Sequence, residues 1–326
     1  MNLDVDVTVS RFATRRPLAI ARGVQTAVET CHVRLLGNGV RGAGEAVGVS
    51  YHGETADSIA AQVQTAAATT ADIVAMIAAL PPGGARAALD AAWWDWQAKA
   101  DNRPVFAPAA RSVDQIASTW TVSLGPPGAM AAEARACPAH ASAIKVKLGG
   151  TVADDERRIA AIRAAMPDSV LLVDGNAGWT PDAYRAVLPG LCAADVACVE
   201  QPCPPGSEAA LADLADIIPL CADEAVDDAA SVEQLSPVYQ SINIKLDKCG
   251  GPSEALRMVA VARARGLGIM AGSMLTTSLG VAPLFLLAAH ARWFDIDAAT
   301  YLVHDRAPTL VHKDWRFRFP SRALWG

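Results

Sequence analysis

Charged residues close short apolar runs at regular intervals through the second half of this 326-residue sequence. Lys145 and Lys147 lie in AIKVKL, Asp174 ends LLVD, Glu200 lies in ACVEQ, Asp223 and Glu224 end PLCADE, Lys245 lies in SINIKL, and Asp295 and Asp297 lie in RWFDID. A buried strand end does not gather charge without a reason. Where parallel strands converge on one mouth, such side chains face one another. Asp174, Glu200 and Asp223, on three consecutive runs, form an all-oxygen donor set of the kind that suits Mg²⁺. Lys147 and Lys245 sit on the second and sixth of eight runs, hence on opposite sides of a closed ring. Two amines so placed can remove a proton from one face of a carbon and return one to the other. A carboxylate held on Mg²⁺ makes its α-proton more acidic by stabilising the enediolate. A neighbouring cation or partial burial lowers a lysine pKa toward the range of a base, and Lys145 is such a neighbour for Lys147. A plainer use of the same residues stays open: the acids cap helices or pair with lysines, and the lysines only neutralise them.

These residues need a scaffold that aims them. The eight runs (119–124, 143–148, 171–174, 197–201, 219–224, 241–246, 268–274 and 292–297) recur about every 25 residues. Amphipathic stretches such as 154–166 and 252–266 lie between them, the second closed by a glycine. Repeated βα units predict an α/β fold with a parallel sheet, and eight near-equal units favour a closed TIM-type barrel over an open doubly wound sheet. Earlier in the chain, alternation in LDVDVTV (3–9), HVRLL (32–36) and GAGEAV (42–47) predicts a meander, with Asn38-Gly39 as a tight hairpin. GNGVRG (37–42) satisfies GxGxxG, yet it joins two strands and so reads as a turn rather than a pyrophosphate cradle. Ala-rich segments 55–79 and 85–100 predict a helical pair. Residues 1–114 therefore read as an α+β domain.

Composition removes several alternatives. The chain is 52% hydrophobic and carries a net charge of −6, with scattered basic residues, which argues against a nucleic-acid partner. Its longest apolar stretch (280–291) is interrupted by Pro283 and is too short to span a membrane. MNLDVDVTV lacks the basic start of a signal peptide, so a cytoplasmic location is expected. Seven cysteines without CxxC read as small buried residues in a reducing compartment, and six separated histidines offer no zinc pattern. Any metal chemistry must rest on carboxylates.

The motifs IKVK (144–147), VDGN (173–176), VEQP (199–202), ADE (222–224) and INIKLDKCGG (242–251), in this order and spacing, resemble the muconate-lactonizing subgroup of the enolase superfamily. The chain looks most like the dipeptide epimerases, in particular those acting on L-Ala-D/L-Glu. The resemblance implies a (β/α)7β barrel over 115–297, and an α+β capping domain over 1–114 to which the tail 298–326 returns. It implies Asp174, Glu200 and Asp223 as Mg²⁺ ligands and Lys147 and Lys245 as acid/base residues, Lys245 being preferred to Lys248 because it fits KxxxxGG. DID (295–297) is similar to the DxD that binds the substrate ammonium, a role falling on Asp295 and Asp297. PLAIARG (17–23) resembles a capping loop whose arginine binds the glutamate side chain, which maps onto Arg22. The implied activity is Mg²⁺-dependent interconversion of L-Ala-D-Glu and L-Ala-L-Glu, in the setting of murein peptide recycling, with a small dipeptide as the partner molecule. An o-succinylbenzoate synthase or muconate cycloisomerase activity is the alternative on the same scaffold, and a non-catalytic binding protein a third. Ala225 stands where the family usually has Ser, and GSM (272–274) where it has GCM, which bears on pocket shape. The sequence is silent on oligomeric state, although a symmetric homo-oligomer is the common expectation for such enzymes.

Overall fold

The structure, a computed structural model, describes residues 3–106 and 113–326. It opens with an antiparallel meander of β1 (Asp4–Ile20), β2 (Gly23–Gly37) and β3 (Val40–Val47). Asn38 and Gly39 have φ of 52° and 74°, the pair of positive values a two-residue hairpin needs, so the GxGxxG pattern is a turn. Its last glycine, Gly42, serves packing: a Cβ there would lie 2.3 Å from the Ala92 carbonyl oxygen. β1 and β2 run well past the predicted segments and pair as far as Ile20 with Gly23, with a register irregularity between Ala13 and Leu18. Pro17 falls just inside that irregularity, where a missing N–H does least harm to a ladder. Segment 55–79 forms two helices rather than one, α1 (Ala56–Thr69) and α2 (Ile73–Ala79). Asp72 caps the second by accepting from Val74 N and Ala75 N, which competes with continuing the first. α3 (Gly84–Ala100) then packs on β3.

The second part is a ring of eight parallel strands. In chain order the elements are β4 (Gln115–Ala117), β5 (Trp120–Val122), α4 (Pro127–Arg135), β6 (Ile144–Lys147), α5 (Val152–Ala165), β7 (Leu171–Asp174), α6 (Pro181–Ala193) and β8 (Val196–Glu200). β9 (Leu220–Ala222), α7 (Ala229–Glu233), β10 (Ser241–Ile244), α8 (Leu246–Cys249), α9 (Pro252–Ala264), β11 (Gly268–Gly272), α10 (Ser278–Val281) and β12 (Trp293–Asp295) follow. The sheet order is β5 through β12 in sequence, every pairing parallel. Thr119 N donates to Phe294 O (2.7 Å) and Ile296 N to Ser118 Oγ (3.1 Å), joining the last strand to the first. This is the predicted (β/α)7β barrel, except that the connection after β8 is a 3₁₀ turn at Glu208–Leu211.

The meander and α3 are seated on the barrel by specific bonds. Val47 N donates to Asp247 Oδ1 (2.8 Å), Ser253 N to Asp90 Oδ2 (2.7 Å), and Trp94 Nε1 to Ser253 Oγ (2.9 Å). After β12 the chain returns: Val303 N donates to Ala13 O, Arg306 pairs with buried Glu45 (2.8 Å), and β13 (His312–Lys313) and β14 (Arg316–Arg318) form a small sheet with β4. Among the described residues no helix is long and apolar enough to cross a membrane, and all seven cysteines are free, five of them buried.

Candidate active site

Strand register brings the charged residues to one level. Lys147 pairs with Asp174 across β6 and β7, Asp174 with Glu200 across β7 and β8, and Glu200 lies opposite Cys221, two residues before Asp223. Inward-facing positions repeat every second residue, so Lys145 points into the same ring one step below Lys147. All of them are buried, none above 8% exposure. Lys145 Nζ lies 2.7 Å from Glu200 Oε2, 2.7 Å from Asp295 Oδ2 and 3.2 Å from Asp174 Oδ2. Lys147 Nζ lies 2.6 Å from Asp174 Oδ2, and Lys245 Nζ 2.6 Å from Asp223 Oδ2. The structure thus gathers the three candidate ligand acids, both candidate bases and Lys145 at one mouth, in two contact sets: Lys145 and Lys147 with Asp174, Glu200 and Asp295, and Lys245 with Asp223. As built, the carboxylates face ammoniums, and among the described residues no three His, Cys, Asp or Glu side chains form a ready metal cluster.

The electrostatics follow from burial and these contacts. Burial, reinforced by Asp174 and Asp223, outweighs Lys145 and pushes Glu200 up to about 7. Burial also opposes ionisation of Asp174 and Asp223, but their lysines prevail and hold both below the ordinary carboxylate range. Asp295 is lowered in the same way, chiefly by Lys145. Asp297 has no such partner: burial and the Asp295 charge push it up to about 7. The expectation of a candidate base depressed toward neutrality is not met at Lys245, and Lys145, the cation beside Lys147, is shifted the same way. Burial lowers each, yet the facing carboxylates outweigh it and both end above the ordinary value.

Lys147 and Lys245 line one cavity of about 420 Å³, together with Arg22, Tyr51, Asn176 and Met274. They stand on β6 and just after β10, four places apart in the ring of eight, hence across the mouth from each other. A smaller cavity of about 60 Å³ shares Lys147 and is lined by Asp295, Asp297, Thr121 and Tyr301. Asp295 is already engaged, by Lys145 and by Thr119 Oγ1 (2.9 Å), whereas among the described residues the Asp297 carboxylate accepts from Thr121 N alone (3.1 Å). Arg22 sits in the turn between β1 and β2, donates to Asn176 O (2.9 Å) and pairs with Glu224 Oε1.

Three further residues hold the site's groups in place, of which the sequence reading weighed only Lys248, as the alternative to Lys245. Lys248 is caged by Asp223 Oδ1 (2.6 Å), the Asp223 carbonyl and Val226 O (2.8 Å), and does not line the cavity, which separates it from Lys245. Asn243 Nδ2 donates to Glu200 Oε1 (2.8 Å). Gln201 Oε1 accepts from Asp223 N and Ala225 N (3.0 Å each), fixing the turn that carries Asp223. Alternation on β10 places Asn243 on the face of Lys245, a usable signal, and the KxxxxGG spacing separated Lys248 from Lys245; Gln201 carried none.

Two family models match the chain: "Mandelate racemase / muconate lactonizing enzyme, N-terminal domain" over residues 4–107 and "Enolase C-terminal domain-like" over residues 129–320. The chain is 34% identical to the L-Ala-D/L-Glu epimerase of Escherichia coli K12, covering 94% of this chain and 96% of that one. Among solved structures, an enolase family member from Agrobacterium tumefaciens with homology to dipeptide epimerases, with bound sodium and L-Ala-L-Glu, is 33% identical over the whole of both chains at a TM-score of 0.93. A dipeptide epimerase from Cytophaga hutchinsonii, complexed with Mg and D-Ala-L-Val, is 26% identical at a TM-score of 0.91, covering 100% of this chain and 95% of that one.

Proposed function

Because this chain belongs to the mandelate racemase and muconate lactonizing group of the enolase superfamily, and is an isomerase acting on amino-acid derivatives, we propose that it is a dipeptide epimerase that interconverts L-Ala-D-Glu and L-Ala-L-Glu. The observation that carries the reading is the placement of Lys147 and Lys245 on opposite walls of one cavity, beside three carboxylates from consecutive strands. One lysine removes the α-proton of the glutamyl residue and the other delivers a proton to the opposite face, which inverts the centre. Asp297, with a single donor, receives the N-terminal ammonium, and Asp295, bound to Lys145, sets its field. Arg22 receives the side-chain carboxylate.

Asp174, Glu200 and Asp223 fit a hard dication such as Mg²⁺. Around the mouth the buried acids Asp174, Glu200, Asp223, Asp295 and Asp297 outnumber the buried lysines Lys145, Lys147, Lys245 and Lys248. When bound, the ion supplies an anchor for the substrate carboxylate and a sink for the charge that develops on deprotonation of the adjacent carbon. The Mg held by the Cytophaga relative supports this assignment.

The test is incubation with L-Ala-D-Glu and Mg²⁺ in D₂O, following the Glu α-proton by NMR. Loss of that signal with growth of the other diastereomer is expected. A persistent signal, with exchange of apolar dipeptides instead, would overturn the substrate assignment.

A further inference from the structure

Arg22 reaches over the barrel mouth already holding an anion of the protein's own. It pairs with Glu224 Oε1 and donates to Asn176 O, and its guanidinium lies 4.9 Å from the Tyr51 ring centroid. Glu224 follows Asp223 in the turn after β9; its side chain is 5% exposed, and its second oxygen, Oε2, meets no donor. A carboxylate with one oxygen on the arginine and the other unpartnered is built to exchange that partner. We infer that Glu224 is a specificity-determining residue, an internal carboxylate with which the substrate side chain competes for Arg22. The inference rests on the proposed function only for which end of the substrate lies under Arg22.

The consequences are electrostatic. An acidic side chain that takes Arg22 leaves Glu224 buried and unpaired beside Asp223, whereas an uncharged one leaves the pair intact. Glu224 therefore acts against acidic side chains relative to Arg22 alone, an element of discrimination built by repulsion. Without Arg22, Glu224 would instead draw a cationic side chain.

The experiment compares kcat/KM for L-Ala-L-Glu, L-Ala-L-Gln and L-Ala-L-Lys in the wild-type protein, Glu224→Gln and Arg22→Gln, using α-proton exchange in D₂O. Glu224→Gln is expected to raise the Glu:Gln preference by about tenfold, mainly through KM, since a hydrogen bond to a charged group is worth at least that factor. Arg22→Gln is expected to lower that preference and raise Lys over Gln. L-Ala-L-Gln turnover checks that each variant is folded, and Arg22→Gln, altered at a hairpin tip, decides alone should Glu224→Gln not fold. Equal factors for Glu and Gln in Glu224→Gln, with no gain on Lys in Arg22→Gln, would overturn the inference and leave the pair as a hairpin clasp. Wild-type inactivity on L-Ala-L-Glu, with Lys still gaining over Gln in Arg22→Gln, would sink the substrate assignment while upholding Glu224.

Discussion

The floor and the mouth of the barrel are built by the same strands and differ by one step of two residues. At the floor, Ala143, Leu172, Cys198, Cys221 and Met270 pack into one apolar cluster. Two positions on, the same strands present Lys145, Asp174, Glu200 and Asp223, all buried, with Lys145 bound to Asp174 and Glu200 and with Asp223 bound to Lys245 and Lys248. Side chains on one face of a strand repeat every second residue, so the floor residue fixes the direction from which its mouth neighbour enters. The floor gains free energy from burial, whereas the mouth spends desolvation to hold charges close together. The difference teaches that packing and chemistry are separable along a single strand, and each can be broken without the other.

The largest effect is expected at the mouth. Lys147→Ala and Lys245→Ala should each lower epimerisation by about 10²–10⁴-fold, the range of general acid/base catalysis. Each variant should still exchange the α-proton of one diastereomer without inverting it, because the surviving lysine reaches only its own face. Time-resolved NMR of both diastereomers in D₂O reads this directly, and full epimerisation by both variants would refute the two-base assignment. At the floor, Leu172→Ala should leave turnover per folded molecule intact. Its cost is in stability, about 2–5 kcal/mol for a buried leucine replaced by alanine. Denaturant unfolding measures it; lost turnover at unchanged stability would erase the distinction between floor and mouth.

The same division explains what the sequence made legible. Eight runs, six of them carrying charge, were visible because alternation and the strand-end position are local, and Asn38-Gly39 announced its turn by residue type alone. The extension of β1 to Ile20 was hidden because the irregularity between Ala13 and Leu18 breaks the alternation there. The break between α1 and α2 turned on Asp72 preferring to cap. At the site, residue identities were legible but partners were not. Glu224 meets Arg22 from 202 positions away, and Lys145 meets Asp295 from 150. Those contacts depend on ring closure, which also reversed the shift expected for Lys245, because Asp223 came closer to it than a list of strand ends suggests.

A buried carboxylate outside both regions sharpens the comparison, because it has neither the floor's apolar character nor the mouth's lysines. Asp247, in α8, is 6% exposed and accepts from Val47 N (2.8 Å), tying the meander to the barrel. Burial, with smaller contributions from Glu54 and Glu45, pushes it up to about 7, whereas Asp223 close by is held low by Lys245 and Lys248. A carboxyl whose pKa is higher folded than unfolded binds more protons in the folded state. Stability therefore falls as pH rises from the ordinary 3.8 to about 7, and is level again above that. Asp247→Asn keeps an acceptor for Val47 N and cannot ionise, so its stability should fall less across this window, by at most ~1.4 kcal/mol per pH unit. Glu200 and Asp297 act in the same direction in both proteins, and taking the difference between the two proteins cancels them. Urea unfolding at a series of pH values gives the two slopes, and identical slopes would mean that Asp247 is not the group that makes the seat of the meander sensitive to pH.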